Sequence, residues 1–234
     1  MKIIGQEEDI GRESRIYRYR FSKEELAFKR DLWKVLCSKF FQRYIPEEAT
    51  VMDLGAGYCE FINNIKAVSK FVVDINAETN RFAEPDVTVY RATGNRLDMF
   101  ADDSLDVVFA SNFFEHIPTK SEISEILKEV HRILKPSGLF LILQPNIKYL
   151  YADYWDFFDH YTPLSHLSMC EVLIIQEFKI KECLPRFLPY STKTSLPKTP
   201  ILVELYLRIP FIWPIFGKQM FIVARKRNMH DSPY

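Results

Sequence analysis

The residues of this 234-residue chain best suited to chemistry fall into two groups. The first is Asp53-Leu54-Gly55-Ala56-Gly57, with Glu60 close behind and Asp74 lying 21 residues after Asp53. Two glycines separated by one residue, entered from an apolar run and an acid, let the backbone take positive φ and approach a ligand closely. Asp74 ends a second apolar run, Lys70-Phe71-Val72-Val73, near the roughly 20-residue interval at which a nucleotide-binding fold places a carboxylate for ribose hydroxyls. The second group lies in an aromatic and acidic stretch from Tyr149 to His166 that carries Asp156, Asp159, His160 and His166. An imidazole beside a carboxylate can take a proton near neutral pH, so His160, His166 and the more distant His116 are the candidate catalytic bases. Each has a plain alternative, in which the glycines serve a tight turn, the aromatic rings are core and the acids cap loops.

These side chains need elements to hold them. Thr50 to Leu54 reads as a buried strand turning into a helix at the glycines, and Lys70 to Asn76 as the next strand. Val87 to Tyr90 is a weaker strand, and Leu105 to Ala110 another buried one that runs into Ser111-Asn112. Thr119 with Glu122 caps a helix with Ile123, Ile126, Leu127, Val130, Ile133 and Leu134 on one face. Lys135-Pro136-Ser137-Gly138 ends it, and Leu139 to Leu143 is the following strand. Ser168 with Glu171 reads as the cap of a later helix, and Phe178 to Cys183 and Met220 to Ala224 as the last strands. Before the glycines, Ser22 with Glu25 reads as the cap of a helix running to Arg43, preceded by an arm at 1–21. Alternation of strand and helix predicts a Rossmann-like, doubly wound α/β sheet in one domain. Within it, 1–45 is arm and helix, 46–144 the ligand-binding core, and 145–218 the acceptor-side segments and a long insertion before the last strand.

Composition narrows the function. Lys+Arg 31 against Asp+Glu 31 gives no net charge, so the field expected of a nucleic-acid binder is missing. Cys37, Cys59, Cys170 and Cys183 are scattered, which fits neither a zinc finger nor a disulfide scaffold, and no metal is expected. The acidic start, Glu7-Glu8-Asp9, does not resemble a secretion signal, so a cytoplasmic setting is expected. The apolar stretch Pro200 to Gly217 is interrupted by Glu204, Arg208, Pro210 and Pro214 and is too short to span a bilayer. It reads as a cover for the sheet edge or a homodimer contact, with peripheral contact to a membrane surface as the minor alternative.

Three ligands compete for the glycine turn. A P-loop requires a Gly-Lys-Ser/Thr ending, and none follows. A nicotinamide dinucleotide site wants a small residue where Glu60 stands, and Asp53 with Glu60 would set two carboxylates beside a pyrophosphate. A ligand that is cationic at this point suits the acids better, as S-adenosylmethionine does with its ammonium and sulfonium.

The same residues resemble the class I S-adenosylmethionine-dependent methyltransferases. Asp53-Leu54-Gly55-Ala56-Gly57 looks like the first motif of that family and Val73-Asp74 like the second. Asp106-Val107-Val108-Phe109-Ala110-Ser111-Asn112 with Glu115-His116 looks like the fourth, and Leu134-Lys135-Pro136-Ser137-Gly138 like its Leu-Lys-Pro-Gly-Gly turn. The resemblance implies a seven-stranded sheet, six strands parallel and the last antiparallel. It implies Asp53, Gly55, Ala56 and Gly57 at the methionine part of the cofactor and Asp74 with Ile75 at the ribose. Asn95, Arg96 and Leu97 would flank the adenine, and Ser111 and Asn112 the sulfonium. Two residues depart from the pattern, Cys59 in place of a third glycine and Asn95 in place of Asp.

The expectation is therefore methyl transfer to a small-molecule or carbohydrate-like hydroxyl, with the wall from Tyr149 to His166 receiving it. A phenol or an amine would suit the same wall. The alternatives are a non-catalytic S-adenosylmethionine-binding partner subunit and a nicotinamide-dependent oxidoreductase.

Overall fold

The computed structural model describes residues 23–190 and 199–227. Seven strands among them form one sheet: β1 Thr50–Leu54, β2 Ser69–Asp74, β3 Val87–Arg91, β4 Leu105–Ser111, β5 Leu134–Pro145, β6 Phe178–Leu184 and β7 Gln219–Lys226. Their order is β3-β2-β1-β4-β5-β7-β6. The first five pair in parallel, and β7 runs antiparallel between β5 and β6. The central strands β1 and β4 are apolar on both faces because helices cover both, the usual condition of a parallel sheet.

Among the described residues six α-helices accompany the sheet: α1 Lys23–Lys39, α2 Lys120–Ile133, α3 Ile147–Leu150, α4 His166–Ile175, α5 Pro200–Arg208 and α6 Trp213–Phe216. One face of the sheet is covered by α2 and α4. There Ile123, Ile126, Leu127, Val130 and Ile133 of α2 meet Met52, Leu54, Val108 and Ile142 of the strands. The Thr119 side chain accepts the Glu122 amide and starts α2 where its sequence predicts. The other face is covered by α1 and α5 over an aromatic layer. Phe41 meets the rings of Trp33, Phe40, Phe61, Phe109 and Phe221, and Phe61 stacks on Phe109 with centroids 3.7 Å apart. This layer lies directly behind β1 and β4, whose carboxyl ends carry the functional residues.

Several boundaries differ from expectation. No α-helix follows the glycine turn, because Gly55, Gly57 and Cys59 all have positive φ, which interrupts an i to i+4 ladder three times in five residues. The crossover to β2 is made of turns and one 3-10 turn, Ile62–Asn64. Helix α1 ends at Lys39, and Phe41–Tyr44 is a separate 3-10 turn. Strand β5 begins at Leu134 and includes the Lys135-Gly138 segment, which Lys135 ties to the Asp106 carboxylate at 2.8 Å. Helix α4 is capped by Ser165, not Ser168. The Ser165 hydroxyl accepts the Ser168 amide, while the Ser168 hydroxyl answers the Ser165 amide. Strand β7 extends to Lys226, held by its ammonium on Asp103 at 2.6 Å and on the Leu134 carbonyl.

The segment before β7 has its own helix, with Thr199 as cap and Pro200 in the first turn. Leu207 and Trp213 turn inward toward α1, whereas Ile201, Leu205, Phe211 and Ile215 face outward. The cap assigned to Ser22 and Glu25, the arm at 1–21 and the tail beyond Arg227 lie outside the described residues.

Phe41 is fully buried at the centre of the aromatic layer. Replacing it with alanine removes ring contacts and leaves a void, so Phe41→Ala should lower unfolding stability by ~3–5 kcal/mol, read as a reduced midpoint in urea denaturation.

Candidate functional site

The glycine turn is held by the ends of β1 and β2. The Gly55 amide donates to the Val73 carbonyl at 2.8 Å. The Gly57 amide donates to Asp74 Oδ2 at 2.8 Å, and the Asn76 amide to Asp74 Oδ1 at 2.7 Å. One carboxylate thus fixes two loops. Each of its oxygens retains acceptor capacity, since an ionised carboxylate offers about four lone-pair sites. Ile75 follows directly, its carbonyl accepting from Arg91 at 3.2 Å.

A methyl group at Gly55 would lie 2.5 Å from the ring of Phe113, and one at Gly94 would lie 3.1 Å from the same ring. Gly55, which also has φ 71°, has no room for a side chain, and at Gly94 the ring would have to give by a few tenths of an ångström, because Phe113 lies between the loops after β1 and β3. Phe113 was not among the residues singled out from sequence. The only signal was a glycine in each of two loops with a phenylalanine pair after β4.

Electrostatics concentrate on the acids. Asp53 is buried, and burial, Glu60 and Asp74 together push its carboxyl well above the usual carboxylate range. Burial also raises Asp74, with the Asn76 and Gly57 amides opposing it. Glu60 is paired with Lys29 of α1 at 3.0 Å, and the same ammonium lies over the Tyr58 ring. Asp53 and Asp74 have no lysine or arginine within ion-pair distance among the described residues.

Other predicted positions divide between loop and core. Asn95 accepts from Thr93 and donates to Glu125 at 3.2 Å, and Arg96 is exposed. The Leu97 side chain is buried under α2, and its backbone is engaged as well, the amide donating to Glu129 at 3.3 Å and the carbonyl accepting from Arg132 at 3.1 Å. Asn112 sits in the left-handed region with φ 47° and donates to Ser111 Oγ at 3.0 Å. Its Oδ1 is buried and accepts no hydrogen bond among the described residues.

The chain leaving β4 meets the aromatic stretch. Tyr161 and Thr162 amides donate to the Glu115 carbonyl, at 2.7 and 3.3 Å, and the Thr162 hydroxyl to the Ile117 carbonyl. This brings His116 and His160 together, with ring centroids 5.2 Å apart. His116 Nδ1 is 2.9 Å from the Asp159 carbonyl and 3.3 Å from its carboxylate. A carbonyl only accepts, so Nδ1 carries the proton and Nε2 has the lone pair. His160 is buried between Phe157 and Tyr154. Tyr151, Trp155, Phe158 and Tyr161 are exposed rather than core. His166 stands apart from that pair: its Nδ1 accepts from Asn146 at 3.0 Å, its ring stacks on Tyr149, and burial lowers its basicity. The four cysteines are free, as expected, and Cys170 and Cys183, distant in sequence, lie near enough for each thiol to shift the other.

Residues 52–142 match the family model described as "Methyltransferase domain". Over these residues, fewer than half of the chain, the sequence is that of a methyltransferase domain. No curated protein matches the chain by sequence. Among solved structures, an S-adenosylmethionine-dependent methyltransferase from Thermotoga maritima aligns over 91% of this chain and 99% of its own at TM-score 0.65 and 15% identity. One from Archaeoglobus fulgidus aligns over 84% and 94% at TM-score 0.60 and 23% identity. The methyltransferase in a complex with the Trm112 activator from Haloferax volcanii aligns over 84% and 90%, at TM-score 0.61 and 20% identity. These likenesses are of fold.

The methyltransferase core takes S-adenosylmethionine as its cofactor. Its residues agree with that group: a turn open to close approach, two carboxyls, Asp53 buried and Asp74 half-buried, without a cationic partner among the described residues, and a buried Asn112 Oδ1 that accepts no hydrogen bond among them. Sequence reasoning passed over Lys29, Phe113 and Gln144 here, since each acts through a neighbour distant in the chain.

Because its folded-state pKa is raised, Asp53 favours folding only when protonated, and its contribution turns unfavourable as pH rises from about 4 through the raised value. Asp53→Asn should therefore raise the melting temperature of the cofactor-free protein at neutral pH by a few degrees, the scale of ~1 kcal/mol in a chain of this size. The gain over wild type should vanish toward pH 4 in thermal melts.

Proposed function

We propose that this methyltransferase transfers the methyl group of S-adenosylmethionine to a hydroxyl of a small or carbohydrate-like acceptor. The observation that carries the reading is the His116–Asp159 pair at the exit of β4, flanked by the exposed rings of Tyr151, Trp155, Phe158 and Tyr161. A hydroxyl must lose its proton to become a good nucleophile, whereas an amine needs no such help once neutral. His116 offers Nε2 as the proton acceptor, while Asp159 holds the ring and steadies the imidazolium that forms. Exposed aromatic faces beside acids and imidazoles suit a polar ring-shaped acceptor.

In this reading Asp53, Gly55, Ala56 and Gly57 hold the methionine portion of the cofactor, and Asp74 with Ile75 the ribose. The loop of Asn95, Arg96 and Leu97 lies at the adenine, with Leu97 anchoring the loop to α2. Ser111 and Asn112 face the sulfonium side, where Asn112 Oδ1 has acceptor capacity to spare. The cofactor supplies an activated methyl group with a good leaving group, so alignment of the acceptor oxygen is the main task of the protein. His160 packs beside His116 and restricts its ring. We assign His166 to structure, because its lone pair is already engaged by Asn146.

Calorimetry with S-adenosylhomocysteine and with NAD tests the cofactor assignment. Binding of the first and not the second is expected, with Asp74→Ala weakening it at least tenfold; tight NAD binding would favour the oxidoreductase alternative. Incubating the protein with labelled cofactor and a metabolite extract tests the reaction. Label should appear in an ether, and His116→Ala should reduce transfer by about 10²–10⁴-fold. Labelled product that forms at full rate with His116→Ala would point to an amine acceptor, and no labelled product at all to a binding subunit.

A further inference from the structure

We propose that Glu115, His116 and His160 form a binding site for one divalent transition-metal ion of the zinc class. One donor atom from each of these residues lies within 4.8 Å of the others. Two of them are neighbours in the 3-10 turn Phe114–His116 at the exit of β4, and the third belongs to the segment pinned onto that turn by the Tyr161 and Thr162 amides.

Glu115 is the strongest indication. It is fully buried, and its Oε2 accepts from Gln144 Nε2 at 2.6 Å. Its other oxygen, Oε1, is buried and accepts no hydrogen bond among the described residues, with His116 Nε2 4.0 Å away. No lysine or arginine lies within ion-pair distance of it among those residues. A buried carboxylate oxygen with no donor is costly, and a cation at that point would satisfy it.

The rest of the arrangement is that of a metal centre. His116 turns its Nε2 lone pair toward Glu115 because Nδ1–H is committed to Asp159. A carboxylate or carbonyl behind a ligating imidazole is the usual means of fixing its tautomer and orientation. Gln144 does the same for Glu115. Two imidazole nitrogens and one carboxylate oxygen suit zinc or cobalt better than calcium or magnesium, which prefer oxygen. Coordination at ~2.1 Å in a tetrahedron asks for donor separations of about 3.4 Å, so loading draws the three side chains together by about an ångström. Three protein donors leave a fourth position open.

One consequence rests on the methyl-transfer reading. With an ion on Nε2, His116 can no longer take a proton. A bound ion would instead hold an acceptor hydroxyl in its open position and lower that hydroxyl's pKa, so that the proton leaves to solvent rather than to His116.

Binding is measured without any methyl acceptor, so this proposal and the acceptor reading fail separately. Chelator-stripped protein titrated with Co²⁺, and with Zn²⁺ against a chromophoric chelator, should take up one ion per chain. Glu115→Gln and His160→Ala should each weaken uptake at least tenfold, in variants that keep the wild-type far-ultraviolet circular dichroism. Wild-type protein alone gives a second test: visible cobalt bands without a thiolate-to-cobalt charge-transfer band. No stoichiometric uptake, uptake unchanged in both variants, or a thiolate band placing the ion at Cys170 and Cys183 would overturn the site. Full methyl transfer by chelated protein would remove the catalytic consequence.

Discussion

The Asp74 carboxylate is the constraint on which the rest of the site depends. It takes one amide from the glycine turn and one from the loop after β2, so two loops that would otherwise move independently share a single anchor. The parallel register does the remainder. Leu54 is level with Val73 on one side and Ala110 on the other, and Ser111 is level with Leu143. The ends of four adjacent strands therefore form one row, and each loop that matters starts from it. Phe113 closes the row from within by resting against Gly55 and Gly94.

Holding acids beneath such a turn opposes stability, and the opposite side of the sheet offsets it. Behind β1 and β4 lies the stack of Phe61 on Phe109, surrounded by Trp33, Phe41 and Phe221. A large aromatic layer of this kind contributes well beyond its area through ring contacts, which lets one buried carboxyl be tolerated where function requires it. Helix α1 serves both sides: Trp33 and Leu36 enter the aromatic layer, while Lys29 reaches Glu60 at the cradle.

Much of this was legible in the chain. Alternating elements predict the doubly wound sheet, the family resemblance its seven strands with the last antiparallel, and the acids around the glycines were enough to disfavour a pyrophosphate. Glu60 carried less of that weight than its sequence position implied, because Lys29 neutralises it from a helix whose packing no local pattern reveals. The missing helix after β1 was illegible for a related reason. A glycine turn ordinarily predicts one, and only the left-handed backbone at Cys59 shows that this crossover is built from turns. The ends of β5 and β7 were misplaced because strand length there is fixed by Lys135 on Asp106 and Lys226 on Asp103. His116 and His160 were visible as residue types, but their meeting depends on backbone bonds from Tyr161 and Thr162 to Glu115.

The two uncompensated carboxyls, Asp53 and Asp74, also bear on turnover. A sulfonium carries one positive charge that the thioether left after methyl transfer lacks. In a poorly hydrated cradle that difference is felt more strongly than it is in water. On the cofactor placement proposed above, a cradle whose carboxyls are ionised favours the charged, loaded cofactor over the neutral thioether. Its preference between the two therefore depends on the protonation of Asp53 and Asp74, whose carboxyls burial pushes upward.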